Sequence, residues 1–289
     1  MIIVTGASGQ LGSAILERLL ERVPAGDVGV SVRDPERVPQ LRARGVRVRR
    51  GDYEEPDSLA HAFEGVSQVL IVSSGSSGHA AVRHHRAAID GAKQAGASRI
   101  VYTSHMGSNP SSPFAPMRDH AATEAALKDS GVPFTALRNG FYATSGVMLL
   151  GNALTTGELA VPEDGPVSWT AHADLAEAAA IALTDGGGLD GLTPALTGSA
   201  AIDMVRVAEI ASALAGRTIR RIVVSDEEYR AGLVAHGLPE SAADMLLGLF
   251  LASRQGEFAE VDPTLARLIG RPPVPFRDVL ATSQVAISG

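Results

Sequence analysis

The first half of the chain alternates short apolar segments with longer amphipathic ones. Six short segments are rich in β-branched residues: MIIVTG, VGVSVR, VRVRRGD, SQVLIVSS, SRIVYTS and FTALRNG. Between them lie stretches such as SAILERLLERV and VRHHRAAIDGAKQAG, whose apolar residues recur at helical spacing. This regular alternation predicts an α/β fold with a Rossmann-type, doubly wound parallel sheet.

The pattern loosens after about Tyr142, where the loop-like stretch GNALTTGELAVPEDGPVSWT precedes a helix at about 171–185. Amphipathic helices follow in DMVRVAEIASALAG and LPESAADMLLGLFLASRQ, and the prolines of RPPVPFRDVLATS end one element before a final helix. We therefore predict a Rossmann domain over residues 1–142, with helix 171–185 packing back on it. Residues 143–289 are predicted to form a smaller, mainly helical region that closes over the sheet.

Composition agrees with a sheet buried on both faces, because 45% of the residues are hydrophobic but only 4% are aromatic, which indicates an aliphatic core. The formal net charge of -7 argues against nucleic acid or an anionic membrane as the main partner. One basic cluster breaks this acidic average: Arg42, Arg44, Arg47, Arg49 and Arg50. Its alternation with valine predicts a half-exposed strand, and a contribution to the field around an anionic cofactor is the alternative.

The residue types and segments that the sequence lacks exclude further kinds of site. The chain has no cysteine, which excludes disulfides, thiolate nucleophiles and cysteine-ligated zinc. The first strand starts without the charged segment of a signal peptide, and apolar runs such as MLLGLFLA are too short to span a bilayer. We therefore expect a soluble, cytoplasmic protein without membrane insertion. A homodimer is compatible with these features, since two-fold dimers are common.

The stretch TGASGQLG joins the first predicted strand to the first predicted helix. In this position three glycines make a tight turn, let the backbone approach a pyrophosphate and aim the helix N-terminus at its negative charge. A glycine turn without a ligand is the alternative interpretation. The residues predicted to hold a dinucleotide here are Gly6, Ala7, Ser8, Gly9, Gln10, Leu11 and Gly12.

The end of the second strand, VSVRDPER, indicates which dinucleotide fits. Arg33 occupies the place where an acidic residue would hold a ribose 2′-hydroxyl, and its guanidinium suits a 2′-phosphate. Asp34 could favour NAD, but with Pro35 after it this aspartate is typical of a helix N-cap. The sequence therefore favours NADP(H) over NADH.

Two later strand ends complete the predicted cofactor site. After the third strand, Asp52 and Tyr53 are placed beside the adenine, with a simple turn-capping role for Asp52 as the alternative. Ser73, Ser74 and Gly75 follow the fourth strand, where small residues let the backbone approach a cofactor.

Several other motifs carry no chemistry in this interpretation. His79, His84 and His85 lack the spacing of a metal site and are predicted to lie on the surface of a helix. No G-x-S-x-G segment is present, which weakens a hydrolase function.

Taken together, TGASGQLG, VRDPER, GDYEEPDSL, VYTSHMG, HAATEAALKDSGVPFTALRNGFY and LIGRPPVPFRDVL resemble the NmrA-like branch of atypical short-chain dehydrogenases. The resemblance covers nearly the whole chain. Within this branch the sequence is similar to the bacterial NADPH-dependent quinone oxidoreductases of the type-2 class and to the triphenylmethane reductases. It implies a domain that binds NADPH and a small C-terminal substrate domain that covers a small aromatic acceptor.

The same resemblance assigns residues near the reacting end of the cofactor. It implies that His105 and Met106 face the substrate, with an ordinary loop as the alternative. It implies the same for Tyr142, for which interdomain packing is the alternative. The residues it places at the cofactor are Thr103, Leu137, Asn139, Gly140, Phe141 and Tyr142.

Typical short-chain dehydrogenases carry a tyrosine and a lysine four residues apart, whereas this chain has His120 and Glu124. Two roles remain open for this pair: a helix-stabilising i,i+4 contact that orients the imidazole, and a proton relay through a catalytic His120. A quinone needs no strong acid, because its reduced form is a phenol-like anion with a pKa of about 10 by analogy with tyrosine.

The leading hypothesis is therefore hydride transfer from NADPH to a quinone or similar planar aromatic acceptor. The main alternative is a non-catalytic NADP(H)-binding redox sensor that acts through a protein partner. An isomerase or lyase that uses the nucleotide structurally is a weaker third possibility.

Overall fold

The computed structural model describes residues 1–288. In this part of the chain the strands, in order, are β1 (Ile2–Thr5), β2 (Val28–Val32), β3 (Arg47–Arg50), β4 (Gln68–Ile71), β5 (Arg99–His105), β6 (Phe134–Asn139), β7 (Phe141–Tyr142), β8 (Glu158–Val161), β9 (Trp169–Thr170), β10 (Gly191–Leu192) and β11 (Arg220–Val223). The α-helices are α1 (Gln10–Leu20), α2 (Pro39–Ala43), α3 (Pro56–Ala62), α4 (His79–Gln94), α5 (Ala115–Ser130), α6 (Ala143–Leu149), α7 (Ala153–Thr156), α8 (His172–Ala182), α9 (Met204–Ala215), α10 (Asp226–Ala235), α11 (Glu240–Arg254), α12 (Thr264–Ile269) and α13 (Phe276–Ser288). Two short 3-10 helices cover Ala25–Asp27 and Pro35–Arg37.

A seven-stranded sheet has the order β10-β6-β5-β4-β1-β2-β3. All of its strand pairs are parallel. The six strands predicted from the first half of the chain are all present, which confirms the Rossmann-type α/β fold. Strand order reverses where β1 lies between β2 and β4, and ligands of open α/β sheets bind at the carboxyl ends of the strands at such a point.

Helices on one face of the sheet form a continuous aliphatic core with it. The central strands contribute Ile3, Val69, Ile71 and Ile100 to this core, and Tyr102 is the one large polar side chain among them. Buried residues of α3, α4 and α5 complete it: Leu59, Ala62, Ala88, Ile89, Ala92, Ala126 and Leu127. As the low aromatic content predicts, this core is built mainly from Ala, Ile, Leu and Val side chains.

The opposite face is covered by α1 and α8, which pack on each other. Leu11, Ile15 and Leu19 of α1 are buried. The buried face of α8 consists largely of alanines, which let helices approach closely. This packing fixes the direction of α1, whose N-terminus is part of the candidate cofactor site.

The five clustered arginines are all engaged by nearby groups. Arg42, Arg44, Arg49 and Arg50 form ion pairs with glutamates, and Arg47 donates to backbone carbonyls. None of them lines the cofactor cavity described below.

The chain folds into two compact units, each built from segments that are separated in the sequence. Within the described chain, unit 1 comprises residues 1–110, 116–139 and 172–194, and unit 2 comprises residues 111–115, 140–171 and 195–288. The seven-stranded sheet and α8 belong to unit 1. Unit 2 contains the remaining helices from α6 onward and two small parallel strand pairs, β8 with β11 and β7 with β9.

None of the helices in the described part of the chain combines the length and the apolar character needed to cross a bilayer.

Candidate active site

The glycine turn after β1 has the geometry of a dinucleotide-binding turn. Gly6 has a φ of 63°, a left-handed conformation that favours glycine. Its carbonyl accepts a hydrogen bond of 2.9 Å from the Gly9 N–H. A Cβ atom on Gly12 would lie only 2.2 Å from the Gly6 carbonyl oxygen, so α1 can pack on the turn only with glycine there. The N-cap residue Gly9 supplies no side-chain cap, so backbone N–H groups at the start of α1 can serve an anion.

A cavity of about 520 Å³ lies beside this turn in unit 1. It is formed where β1, β2, β3 and β4 end, which brings together segments far apart in the sequence. The predicted cofactor residues that line it are Gly6, Ser8, Gly9, Arg33, Asp52, Tyr53, Ser73, Ser74 and Gly75. Ala7, Gln10, Leu11 and Gly12 belong to the turn and α1 but not to the cavity wall.

Arg33 and Asp34 make different contacts, and Asp34 is the helix cap that the sequence predicts. Asp34 caps the 3-10 helix that begins at Pro35, because its carboxylate accepts the Glu36 N–H at 3.0 Å. Arg33 is exposed at the cavity and forms no hydrogen bond or ion pair with the described residues. Its guanidinium is therefore available to a ligand.

Ser31 in β2 is a cavity residue that sequence reasoning missed. It is buried, and its hydroxyl has no hydrogen-bond partner among the described residues. A Cβ on Gly51 would lie 2.1 Å from this hydroxyl, so the backbone just after β3 also approaches it closely. An unpartnered buried polar atom and a glycine cradle both fit a polar ligand such as a dinucleotide.

Asp52 and Tyr53 are held by the turn after β3. Asp52 caps this turn through the Glu54 N–H at 3.1 Å, as in the capping alternative, and it also lines the cavity. The Tyr53 hydroxyl lies 2.6 Å from Thr5 Oγ1 and 3.0 Å from the Val72 carbonyl oxygen. Burial raises the pKa of Tyr53, so its phenol stays protonated and joins the ends of β1 and β4.

The prediction that His84 and His85 lie on a helix surface is wrong. They are only 8% and 2% exposed, whereas His79 is exposed as predicted. The buried neighbours Ala81, Ala88 and Ile89 follow the same helical spacing on α4, and this periodicity is the signal that could have identified the inner face.

His84 belongs to the cofactor cavity. It lines the cavity wall, and its Nδ1 lies 3.0 Å from the Ser74 hydroxyl. Its Nε2 lies 3.5 Å from a Glu54 carboxylate oxygen.

His85 ties the loop after β4 to α5. The Ser74 N–H donates to His85 Nε2 at 2.8 Å, and the other ring nitrogen lies 2.8 Å from the Thr123 hydroxyl. That hydroxyl donates to the Asp119 carbonyl at 2.8 Å, so the imidazole must donate from Nδ1. Burial lowers the pKa of His85 to about 3, which matches this neutral form.

His120 lies in a row of rings with Tyr102 and His105. Its Nδ1 is 2.8 Å from the Tyr102 hydroxyl, a partner that sequence reasoning missed. The ring centroids of His105 and His120 are 5.9 Å apart. Burial lowers the pKa of His120 to about 4, although the Glu124 carboxylate opposes this shift, and burial places the pKa of His105 well below its usual value. Both imidazoles are therefore neutral near pH 7.

The i,i+4 contact between His120 and Glu124 is one of the two roles that the sequence leaves open for this pair. Among the described residues no hydrogen bond or ion pair joins them. Glu124 is only 5% exposed, and its carboxylate accepts two hydrogen bonds from Arg138 and one from Ser104. The buried carboxylate binds this guanidinium because an ion pair compensates its desolvation better than a neutral imidazole can.

The ends of β5 and β6 carry the other predicted residues of unit 1. Thr103 accepts the Ser73 N–H at 2.9 Å and so holds the loop of the cofactor cavity. The Met106 N–H donates to the Asn139 carbonyl at 2.8 Å. Asn139 is 1% exposed, and its Oδ1 has no partner among the described residues. Leu137 is fully buried in β6.

Gly140, Phe141 and Tyr142 fall in unit 2. A Cβ on Gly140 would lie 2.2 Å from Thr170 Oγ1, which requires glycine there. Phe141 packs edge-on against Trp169, with ring centroids 5.4 Å apart, and lines a second cavity of about 690 Å³ within unit 2. Tyr142 is half-buried in β7. The cofactor and substrate roles assigned to these three residues remain predictions.

No cluster of three or more His, Asp or Glu side chains suited to a metal ion is found within residues 1–288.

Comparison with known proteins agrees with the geometry of unit 1. Residues 6–186 match a protein family described as NAD(P)H-binding. The chain is 34% identical over 273 residues to quinone oxidoreductase 2 of Escherichia coli K12, covering 94% of both chains. It is also 31% identical over 286 residues to an NmrA-like family domain-containing oxidoreductase of Aspergillus flavus, covering 96% of this chain and 93% of that one.

Solved structures give the same result. The E. coli NADPH-dependent quinone oxidoreductase complexed with NADPH superposes with a TM-score of 0.92, at 32% identity over 98% of this chain and 99% of that one. Triphenylmethane reductase from Citrobacter sp., complexed with NADP(H), gives a TM-score of 0.91 at 32% identity and the same coverage. The chain therefore belongs to the NAD(P)H-binding family, in its NmrA-like oxidoreductase branch.

Proposed function

We propose that this protein is an NADPH-dependent reductase that transfers a hydride to a quinone or a similar planar aromatic acceptor. The observation that carries the proposal is the cavity beside the glycine turn, with the unpaired Arg33 guanidinium at its wall. The names of similar proteins support it, since they include a quinone oxidoreductase and a triphenylmethane reductase that were crystallised with NADPH or NADP(H).

The residues of unit 1 fit the adenosine and pyrophosphate parts of NADPH. The backbone from Gly6 to Gly12 and the start of α1 would hold the pyrophosphate, because both present N–H groups to an anion. Arg33 would bind the 2′-phosphate. Ser31 and the loop residues Ser73 and Ser74 would offer hydroxyl and backbone groups to the remaining polar atoms. When bound, NADPH supplies the hydride.

Protonation places little demand on the protein in this proposal. A neutral His120 bonded to Tyr102 is a poor acid near pH 7, and Glu124 is occupied by Arg138. A quinone accepts a hydride and becomes a phenolic anion, which water can protonate. A proton relay through His120 therefore adds little to the rate with quinones.

The redox-sensor alternative is not favoured, because the similar proteins named above are reductases. A cytoplasmic location and a homodimer remain predictions from the sequence.

Steady-state oxidation of NADPH by the purified protein tests the proposal. We expect turnover with benzoquinones, naphthoquinones and cationic triarylmethane dyes, and a lower kcat/KM with NADH than with NADPH. Tight NADPH binding without oxidation of the cofactor by any acceptor would contradict it.

A further inference from the structure

Unit 2 encloses a cavity of about 690 Å³ that is lined mainly by apolar side chains. Three helices each present a face of residues spaced three or four apart to this space, and β8 forms a further wall. The residues that face it include Met148 of α6, Glu228, Gly232 and the following His236 of α10, and Met245 and Leu249 of α11.

Helix α10 has none of its residues buried, which is unusual for an amphipathic helix inside a compact unit. Its start is stabilised locally instead, by a capping box between Ser225 and Glu228 and by acidic residues in the first turn. Its apolar face is therefore only half-buried: Tyr229 packs edge-on against Phe250, with ring centroids 5.2 Å apart, while Gly232 and Leu233 line the cavity. Met148 on α6 is 79% exposed, so the cavity has an apolar mouth.

Such a surface favours an apolar ligand, because burying apolar area is the main source of affinity available to it. The volume lies within the range of about 300–1,000 Å³ that is typical of ligand sites. A single-ring quinone is no larger than one aromatic side chain and would fill only part of this space. The remainder matches a flexible hydrocarbon chain.

The charged residues at the cavity wall favour uncharged apolar ligands over anionic ones. Glu158 and Glu228 line the cavity, and none of the lining residues is Lys or Arg. A fatty acid or another anionic amphiphile would meet two carboxylates of like charge at this wall, where His236 is the one lining side chain able to carry a positive charge. The site therefore suits an uncharged chain.

We propose that the unit 2 cavity binds the aliphatic side chain of a lipophilic quinone, so that the preferred acceptors carry an uncharged alkyl or prenyl substituent. The inference rests on the proposed function for the identity of the ring, whereas the chain-binding cavity is a property of unit 2 alone. In the reaction the hydride and one proton from water reduce the quinone to the hydroquinone, and NADPH becomes NADP+. The aliphatic chain binds but does not react.

The first test compares benzoquinones that share one ring and carry no side chain, a five-carbon prenyl group or a ten-carbon alkyl chain. We expect KM to fall with chain length, by up to about fourfold for each methylene that is fully buried. The kcat should change little, because no bond of the chain is made or broken in the reaction. Equal KM values across the series would overturn the inference, while loss of turnover with every quinone would instead contradict the proposed function.

The variant Gly232→Leu tests the cavity itself. A Cβ at Gly232 meets no atom within 4 Å, so leucine can extend into the space, and α10 should gain helix propensity. We expect this variant to lose the KM advantage of the ten-carbon quinone over the unsubstituted one. Gly26→Leu is the matched control, because Gly26 is exposed and its Cβ also meets no atom within 4 Å. An undiminished chain-length effect in Gly232→Leu would count against the site.

Calorimetric titration with n-decanol and with decanoate provides a readout without catalysis. The wild-type protein should bind decanol at least tenfold more tightly than decanoate, and Gly232→Leu should bind neither. Tighter binding of decanoate, or a wild-type dimer that dissociates in Gly232→Leu by light scattering, would overturn the inference, since a fatty acid or a second copy of the chain would then be the occupant.

Discussion

The Glu124 carboxylate on α5 accepts two hydrogen bonds from the Arg138 guanidinium on β6, at 3.1 and 2.8 Å. Ser104 at the end of β5 donates to the same carboxylate at 2.7 Å. These contacts join α5 to the ends of β5 and β6. Glu124, four positions after His120, therefore holds the ends of β5 and β6 together and does not orient the imidazole.

Removing this carboxylate should destabilise the fold. We expect Glu124→Gln to lower the free energy of unfolding by about 2–3 kcal/mol, because Arg138 keeps its charge in a partly buried place but loses the carboxylate that accepts two of its hydrogen bonds. Urea unfolding checks this value. Glu21→Gln is the control, since the Arg18–Glu21 pair has side chains that are 41% and 63% exposed and should matter by less than about 0.5 kcal/mol. Similar losses in both variants would contradict the assignment.

Arg33 should determine the preference for NADPH. We expect Arg33→Ala to weaken NADPH binding by about 10- to 100-fold, as for the loss of a charge-assisted hydrogen bond, and to change NADH binding little. Fluorescence titration with both cofactors measures the difference. Arg37→Ala offers a matched exposed arginine outside the cavity wall. Equal losses for NADPH and NADH would show that Arg33 does not contact the 2′-phosphate.

The buried histidines should make stability depend on pH. Burial lowers the pKa of His85 from 6.5 to about 3, so between these values the unfolded chain binds a proton that the folded chain does not. Stability should therefore fall as the pH drops below about 6.5, with a slope approaching about 1.4 kcal/mol per pH unit for each such histidine. Urea unfolding at several pH values should show a smaller slope in His85→Gln than in the wild type.

The same experiment with His79→Gln provides its control, since His79 is exposed on the same helix. An unchanged slope in His85→Gln, or an equally reduced slope in His79→Gln, would disagree with a neutral, buried His85.

His120 should contribute little to quinone reduction. General acid–base catalysis is worth about 10²- to 10⁴-fold, and we expect His120→Ala to keep kcat within about tenfold of the wild type. Tyr102→Phe removes the same hydrogen bond but leaves the imidazole, so the two variants should behave alike. A loss above 100-fold that is confined to His120→Ala would instead establish the proton relay.

Sequence patterns predicted the strands, the glycine turn and the helix cap, because each of these depends on interactions between residues close in the sequence. The β-branched segments identified six of the seven strands of the main sheet, all but the two-residue β10. The glycine spacing identified the turn before α1, and Pro35 distinguished Asp34 as a cap from Arg33 as a free cation. Each of these features is determined by residues within a few positions of one another.

The missed features depend on partners that are distant in the sequence. His85 is buried because it bridges Ser74 and Thr123, and Glu124 binds an arginine 14 positions away rather than the histidine one helical turn before it. The space beside Gly232 arises from the packing of three helices, so the sequence of any one helix does not predict it.

A single-turnover experiment tests the central claim most directly. The protein is loaded with one equivalent of NADPH under anaerobic conditions and mixed with excess benzoquinone, and the nicotinamide absorbance and the hydroquinone are both measured. We predict that one hydroquinone forms for each NADPH oxidised, faster than in the absence of protein. NADPH that stays bound and reduced while the quinone is unchanged would contradict the assignment as a quinone reductase.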